Sequence, residues 1–119
     1  MKNILLVDDE PDILDIITDL LEFNDDFKVL TAQNGEQGLQ VFMKEQIDLV
    51  ITDIRMPVQN GLWLFDQIRG QDVKTPILFM SGFTEESEAN LKKKNLQGFV
   101  RKPEDIKNLN DLVTKVVAS

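Results

Sequence analysis

Asp8-Asp9, Asp53, Ser81-Gly82 and Lys102-Pro103 are the residues of this chain whose types and spacing could do chemistry. Each group lies just past a short apolar run: Ile4 to Val7, Leu49 to Ile51, Ile77 to Met80, and Phe99-Val100. If those runs are strands of one parallel sheet, their ends deliver three carboxylates, a hydroxyl and an ammonium to a single crevice. Taken singly, each group has an ordinary role. Asp8 or Asp9 could cap a helix, Asp53 and Ser81-Gly82 could be turn residues, and Lys102 could be surface. Together at one sheet edge they are far more specific.

Electrostatics says what such a crevice needs. Two unit charges about 4 Å apart repel by roughly 4 kcal/mol at an effective dielectric near 20. Three carboxylates must therefore protonate, pair with a lysine or bind a cation. Lys102 offsets one charge, and a divalent cation relieves the rest. Magnesium takes one or two carboxylates, keeps waters and accepts a phosphate oxygen, which suits Asp8, Asp9 and Asp53. Manganese is the expected substitute. Calcium fits less well, because no loop supplies the dense oxygen ligands it prefers.

The elements that must position these groups follow from hydrophobic spacing. A fifth apolar run spans Phe27 to Thr31. Several runs are solidly apolar rather than alternating, as strands buried on both faces are. Helical patterns fill the gaps. Ile13, Ile16, Ile17, Leu20 and Leu21 form one face behind Pro11; Gly38, Leu39, Phe42 and Met43 form a second; Leu62, Phe65 and Ile68 form a third near Gly61. A strong last helix carries Ile106, Leu109, Leu112, Val113, Val116 and Val117. The segment from Thr84 to Lys94 has only Ala89 and Leu91 as apolar residues and is expected to be loosely held. Strand and helix alternate five times. This predicts an α/β fold, a doubly wound five-stranded parallel sheet of order 2-1-3-4-5 between helix layers, the flavodoxin-like three-layer sandwich.

Composition narrows the function. The 119 residues fit one domain, 1–119, without a second. There is no cysteine and no histidine, which excludes disulfides, thiolate chemistry, a histidine base and histidine-ligated metal. The net charge of −8 disfavours nucleic acid and anionic membrane. No apolar run approaches the ~20 residues of a membrane span, and the start of the chain does not read as a signal peptide. The expected compartment is the cytoplasm.

These residues resemble the receiver domain of two-component response regulators, including its chemotaxis members. The resemblance covers the whole chain. It is carried by Leu6-Val7-Asp8-Asp9-Glu10-Pro11, Asp53-Ile54-Arg55-Met56-Pro57 with Gly61, Ser81-Gly82 and Lys102-Pro103. It implies that a sensor histidine kinase or phosphotransfer protein passes a phosphoryl group to Asp53, which becomes an acyl phosphate. Asp8, Asp9, Asp53 and the backbone carbonyl of Arg55 would hold Mg2+. Lys102 and Ser81 would bind phosphoryl oxygens. The chain would catalyse its own phosphorylation and dephosphorylation without being an enzyme in the usual sense. Ser81 and Phe99 would then switch the face made by the Thr84–Lys94 segment, the fifth strand and the last helix. That face would meet a downstream protein, or a second copy after phosphorylation.

Some positions depart from the family's pattern. Phe99 stands where tyrosine is frequent, and Glu104 where an aromatic residue is common. Arg55 and Phe83 sit where the family tunes acyl-phosphate lifetime; bulky Phe83 beside Arg55 is expected to hinder water and lengthen it. Trp63 lies off its helix stripe and is expected to pack over the helix edge. Three rival functions are weaker. A haloacid-dehalogenase-type phosphatase needs an aspartate where Arg55 stands. A flavin carrier needs a phosphate-binding loop where Asp8-Asp9-Glu10 repels phosphate. A non-phosphorylated interaction domain with the same fold remains the alternative.

Overall fold

A computed structural model describes residues 1–54, 56, 58–72, 74–81, 98–101 and 109–117. Five strands, β1 (Lys2–Val7), β2 (Phe27–Ala32), β3 (Leu49–Asp53), β4 (Ile77–Ser81) and β5 (Gly98–Arg101), form one parallel sheet of order β2-β1-β3-β4-β5. The described helices are α1 (Pro11–Glu22), α2 (Gly35–Lys44), α3 (Gly61–Arg69) and α4 (Leu109–Val117). The expected order and architecture are found. The expected helix between Thr84 and Lys94, and Ile106, lie outside the described residues.

The period of two along each strand divides the core. Ile4 and Leu6 of β1, Leu49 and Ile51 of β3, and Leu78 and Met80 of β4 face α1 and α4. Leu5, Val7, Val50, Ile77 and Phe79 face the other way, against Leu64, Phe65 and Ile68 of α3. β1 and β3 are central, covered on both faces, and consequently solidly apolar. Each such side chain contributes about 1.5–3 kcal/mol by leaving water. No helix among the described residues is long and apolar enough to cross a membrane.

The helix faces differ in detail from those expected. In α1 the buried residues are Leu14, Ile17 and Leu21, with Ile13 and Leu20 packed beside them, while Ile16 is 55 % exposed. At about 100° per residue, Ile16 lies outside the arc centred on Ile17, and Leu14 lies inside it. In α2, Val41 joins Leu39 and Phe42 against the core, and Met43 faces solvent. In α3, Leu64 is fully buried beside Phe65 and Ile68, and Leu62 is only partly covered. Trp63 packs partly buried against the same cluster, as expected.

The turn from α3 into β4 is closed by polar bonds. One Arg69 Nη1 donates to the backbone oxygens of Asp72 (3.2 Å) and Thr75 (2.8 Å), and its guanidinium lies 5.2 Å from the Phe65 ring centroid. The Asp72 carboxylate accepts from the Thr75 hydroxyl and from the Lys74 and Thr75 amides. The Thr75 hydroxyl, ahead of those amides and the Arg69 charge, holds Asp72 below the ordinary carboxylate range, although burial opposes this. A lowered folded pKa stabilises above the unfolded pKa of about 4 and loses that contribution as pH falls through the folded pKa. The stability gap between this chain and Asp72→Ala should therefore narrow as thermal unfolding is followed from pH 7 to below 4; a gap independent of pH would contradict the linkage.

Past β3, Val58 has φ 66° and is 71 % exposed. A β-branched residue pays steric strain in this left-handed conformation, of order 1–2 kcal/mol. Val58→Gly is expected to raise stability by about 1 kcal/mol, the strain relief outweighing the chain entropy glycine adds. A higher urea midpoint with unchanged slope is the signature; a midpoint at or below that of the parent would mean the loop holds Val58 without strain.

Candidate acidic functional site

β1 and β3 are neighbours in the sheet, with Val7 opposite Thr52, so the residues after Val7 and at the end of β3 meet at the carboxyl edge. Asp8 is fully buried. Its Oδ1 accepts the Glu10 N–H at 2.9 Å, and its own N–H donates to the Ala32 carbonyl at 3.1 Å. Asp53 is the last residue of β3 and only 7 % exposed; its Oδ1 accepts the Ile54 N–H at 2.7 Å. Asp9 and Glu10 are exposed beside them. Carboxylate oxygens from Asp8, Asp9, Glu10 and Asp53 all lie within 4.8 Å of one another.

The surrounding elements fix this geometry. Pro11 starts α1 with its preset φ, immediately after the acidic run. Asn60 caps α3 by accepting the Trp63 N–H at 2.9 Å. Gly61 follows, and its N–H donates to the Ile54 carbonyl at 2.9 Å. A Cβ on Gly61 would stand 2.1 Å from the backbone oxygen of Asp53, so only glycine lets α3 approach the end of β3 this closely. The Thr52 hydroxyl donates to that same Asp53 oxygen at 2.9 Å. The next loop is tied to α2, since the Gly35 N–H donates to the Gln59 carbonyl at 2.7 Å.

The structure thus brings together Asp8, Asp9 and Asp53. It adds Glu10, which was not among the expected metal ligands. Ser81 ends β4, one residue beyond the Met80 that pairs with Asp53, and Phe99 lies in β5 opposite Phe79. Arg55, Phe83, Lys102 and Glu104 lie outside the described residues. Each pair of ionised carboxylates this close repels by roughly 3 kcal/mol or more at a dielectric near 20. An all-oxygen donor set with exposed members on one side suits a small hard cation that keeps part of its water.

Comparison with known proteins points one way. A model of the response regulator receiver domain matches residues 4–114. The transcriptional regulatory protein GlrR of Escherichia coli K12 is 35% identical over 79 residues, covering 66% of this chain and 18% of that protein. Response regulator SaeR of Staphylococcus aureus USA300 is 28% identical over 121 residues, covering 98% of this chain and 52% of that one. The chain thus spans about half or less of the length of these curated relatives. The response regulator TrrA of Thermotoga maritima, crystallised in complex with Mg2+ and BeF, superimposes with a TM-score of 0.87 at 32% identity, covering 98% of this chain and 99% of that one. With the acidic crevice at the switch point of a 2-1-3-4-5 sheet, these matches show that the chain belongs to the response regulator receiver domain family, the phosphoacceptor signalling domains of two-component systems.

Proposed function

We propose that the chain, as a single domain over 1–119, takes a phosphoryl group onto Asp53 from a phosphohistidine of a sensor kinase or phosphotransfer protein. The observation that carries this is the nearly buried Asp53 carboxylate, its oxygen within 4.8 Å of those of Asp8, Asp9 and Glu10. Asp8, Asp9, Asp53 and the Arg55 carbonyl are the residues that would hold Mg2+, with Mn2+ as substitute. Bound there, the cation supplies charge neutralisation for the acceptor and the incoming phosphoryl oxygens. The Ile54 N–H helps fix the Asp53 carboxylate, one oxygen of which attacks the phosphorus. The new O–P bond forms as the P–N bond breaks, and its electron pair leaves on the imidazole nitrogen, which picks up a proton from water. Lys102 and Ser81 bind phosphoryl oxygens. Arg55 and Phe83 set how fast water later cleaves the acyl phosphate to free phosphate.

The output is a population shift in which Ser81 and Phe99 rearrange and alter a protein-binding face at β5 and α4. The donor approaches past α1, whose outer side carries the exposed Ile16 among Asp12, Asp15 and Asp19. A partner surface that is basic and partly apolar suits that face. The domain works in the cytoplasm, with protein partners rather than nucleic acid or membrane.

Intact mass after incubation with acetyl phosphate tests the chemistry. The expected result is a gain of one phosphoryl group that needs Mg2+, disappears with chelator and is absent in Asp53→Asn. The decay of that gain reads the acyl-phosphate lifetime. No gain in any condition would favour a receiver-like interaction domain that is not phosphorylated.

A further inference from the structure

The order β2-β1-β3-β4-β5 makes β2 an edge of the sheet, with one side that no strand covers. The Lys2 N–H donates to the Asp26 carbonyl and the Asp8 N–H to the Ala32 carbonyl, so the even-numbered residues of this stretch turn their backbone groups toward β1. Phe27, Val29, Thr31 and Gln33 therefore turn theirs outward. An open edge of this kind is a template for another strand. Three of these outward donors are already taken. The Phe27 N–H donates to the Asn24 carbonyl (3.0 Å), the Val29 N–H to Glu22 Oε2 (3.0 Å) and the Gln33 N–H to Gln37 Oε1 (3.0 Å). Glu22 is the least expected of the three acceptors. It ends α1, where the helix dipole disfavours negative charge, and the last turn of α1 carries no basic residue to offset it. Its side chain is exposed, so packing does not hold it there; what it gains is the bond to Val29. Lys28, exposed on the same strand, adds a charge of the kind that protects edges.

We propose that Glu22 is a guard on this edge: its carboxylate closes β2 to strand addition, and the strand it keeps off is β2 of a second copy of this chain. The second copy follows from register. A two-fold axis at Leu30 sets two β2 strands antiparallel, with Val29 of each copy opposite Thr31 of the other. Both are outward residues, so each such pair exchanges two N–H···O bonds. Leu30 meets its own counterpart between them. Val29 and Leu30 are only partly covered in the single chain, and apolar and β-branched cross-strand pairs of this kind stabilise a sheet. The bond from Val29 to Glu22 stands in the way. Pairing breaks it in both copies and strands two carboxylates at the new seam, where they lose water and find no partner.

Sedimentation velocity of the whole, unphosphorylated chain over a rising concentration series tests this. Glu22→Ala is expected to dimerise at concentrations where the parent sediments as a monomer. Glu22→Gln keeps an acceptor oxygen for Val29 and should stay monomeric. Thr31→Pro added to Glu22→Ala removes an outward N–H that pairing needs, leaves the ladder to β1 intact, and should restore the monomer. Thr31→Lys, which puts a charge at the seam without touching the backbone, should do the same. Amide exchange at low concentration reads the guard directly: the Val29 amide should exchange about fivefold faster in Glu22→Ala, with Leu30 unchanged. A Glu22→Ala chain that stays monomeric throughout, or a dimer that neither Thr31 variant weakens, would overturn the proposal. So would Glu22→Gln associating as strongly as Glu22→Ala, or a parent that itself dimerises and is made monomeric by Thr31→Pro.

Discussion

Gly61→Ala will lower the stability of this chain by about 3 kcal/mol or more, which for a domain of this size is a large share of the total. The added methyl would sit 2.1 Å from the Asp53 backbone oxygen and 3.0 Å from its carbonyl carbon. Both are main-chain atoms of a buried strand end, so no flexible side chain can swing aside. Relief requires α3 to retreat from β3. That breaks the 2.9 Å bond from the Gly61 N–H to the Ile54 carbonyl and pulls Leu64, Phe65 and Ile68 from the core. Urea unfolding measures the loss, and on the proposed reading the folded fraction should take up phosphoryl groups poorly because the end of β3 that carries the Asp53 carboxylate has lost its support from α3. Gly70→Ala is the control: its nearest neighbours stand 3.5 Å away, and it should change stability by less than about 1 kcal/mol. A Gly61→Ala variant with the parent's midpoint would show that the helix start yields freely.

Phe79→Ala is expected to cost about 3–5 kcal/mol, whereas Phe23→Ala should stay within about 0.5 kcal/mol. The chemistry removed is the same; the surroundings are not. Phe79 is fully buried in β4, between Thr52 and Phe99 in register, with its ring 5.7 Å from that of Phe65. Phe23 follows α1 and is 89 % exposed. Deleting the first ring loses its transfer energy and leaves a cavity in a close-packed layer; deleting the second only uncovers water-facing backbone. Thermal unfolding of the two variants side by side checks this, and similar melting temperatures would contradict the burial assigned to β4.

The parallel sheet was readable because its central strands are buried on both faces, while the strand order and the place of the crevice came from the usual five-stranded doubly wound arrangement and from the family resemblance. Ile4 to Val7, Leu49 to Ile51 and Ile77 to Met80 admit few other readings, and acidic residues follow the first directly and the second after Thr52. The helix faces were harder. Ile13, Leu14, Ile16, Ile17, Leu20 and Leu21 span more than one face, and spacing alone does not say where the arc is centred; the sheet does, and it selects Leu14 over Ile16. Gly61 was legible as a helix start, but its closeness to the Asp53 carbonyl comes from two elements packing together, which no local pattern encodes. Glu10 was visible as a neighbour of Asp8 and Asp9. That its carboxylate meets those of Asp8, Asp9 and Asp53 depends on β1 and β3 ending side by side, which no local pattern encodes.

The bond from the Gly35 N–H to the Gln59 carbonyl ties one flank of the crevice to α2. A Cβ at Gly35 would lie 2.6 Å from that oxygen and 2.8 Å from the Asn60 oxygen, so α2 and the start of α3 abut with no slack. Gly38 repeats the contact one turn on, with Leu64 and Val7 at 3.0 and 3.1 Å from where its Cβ would be. This flank behaves as an abutment: a push arising at Asp53 meets close-packed backbone there and is returned rather than absorbed. On the proposed reading, a displacement that began at Asp53 would be directed along the sheet toward β4 and β5, as recoil is directed by a fixed breech.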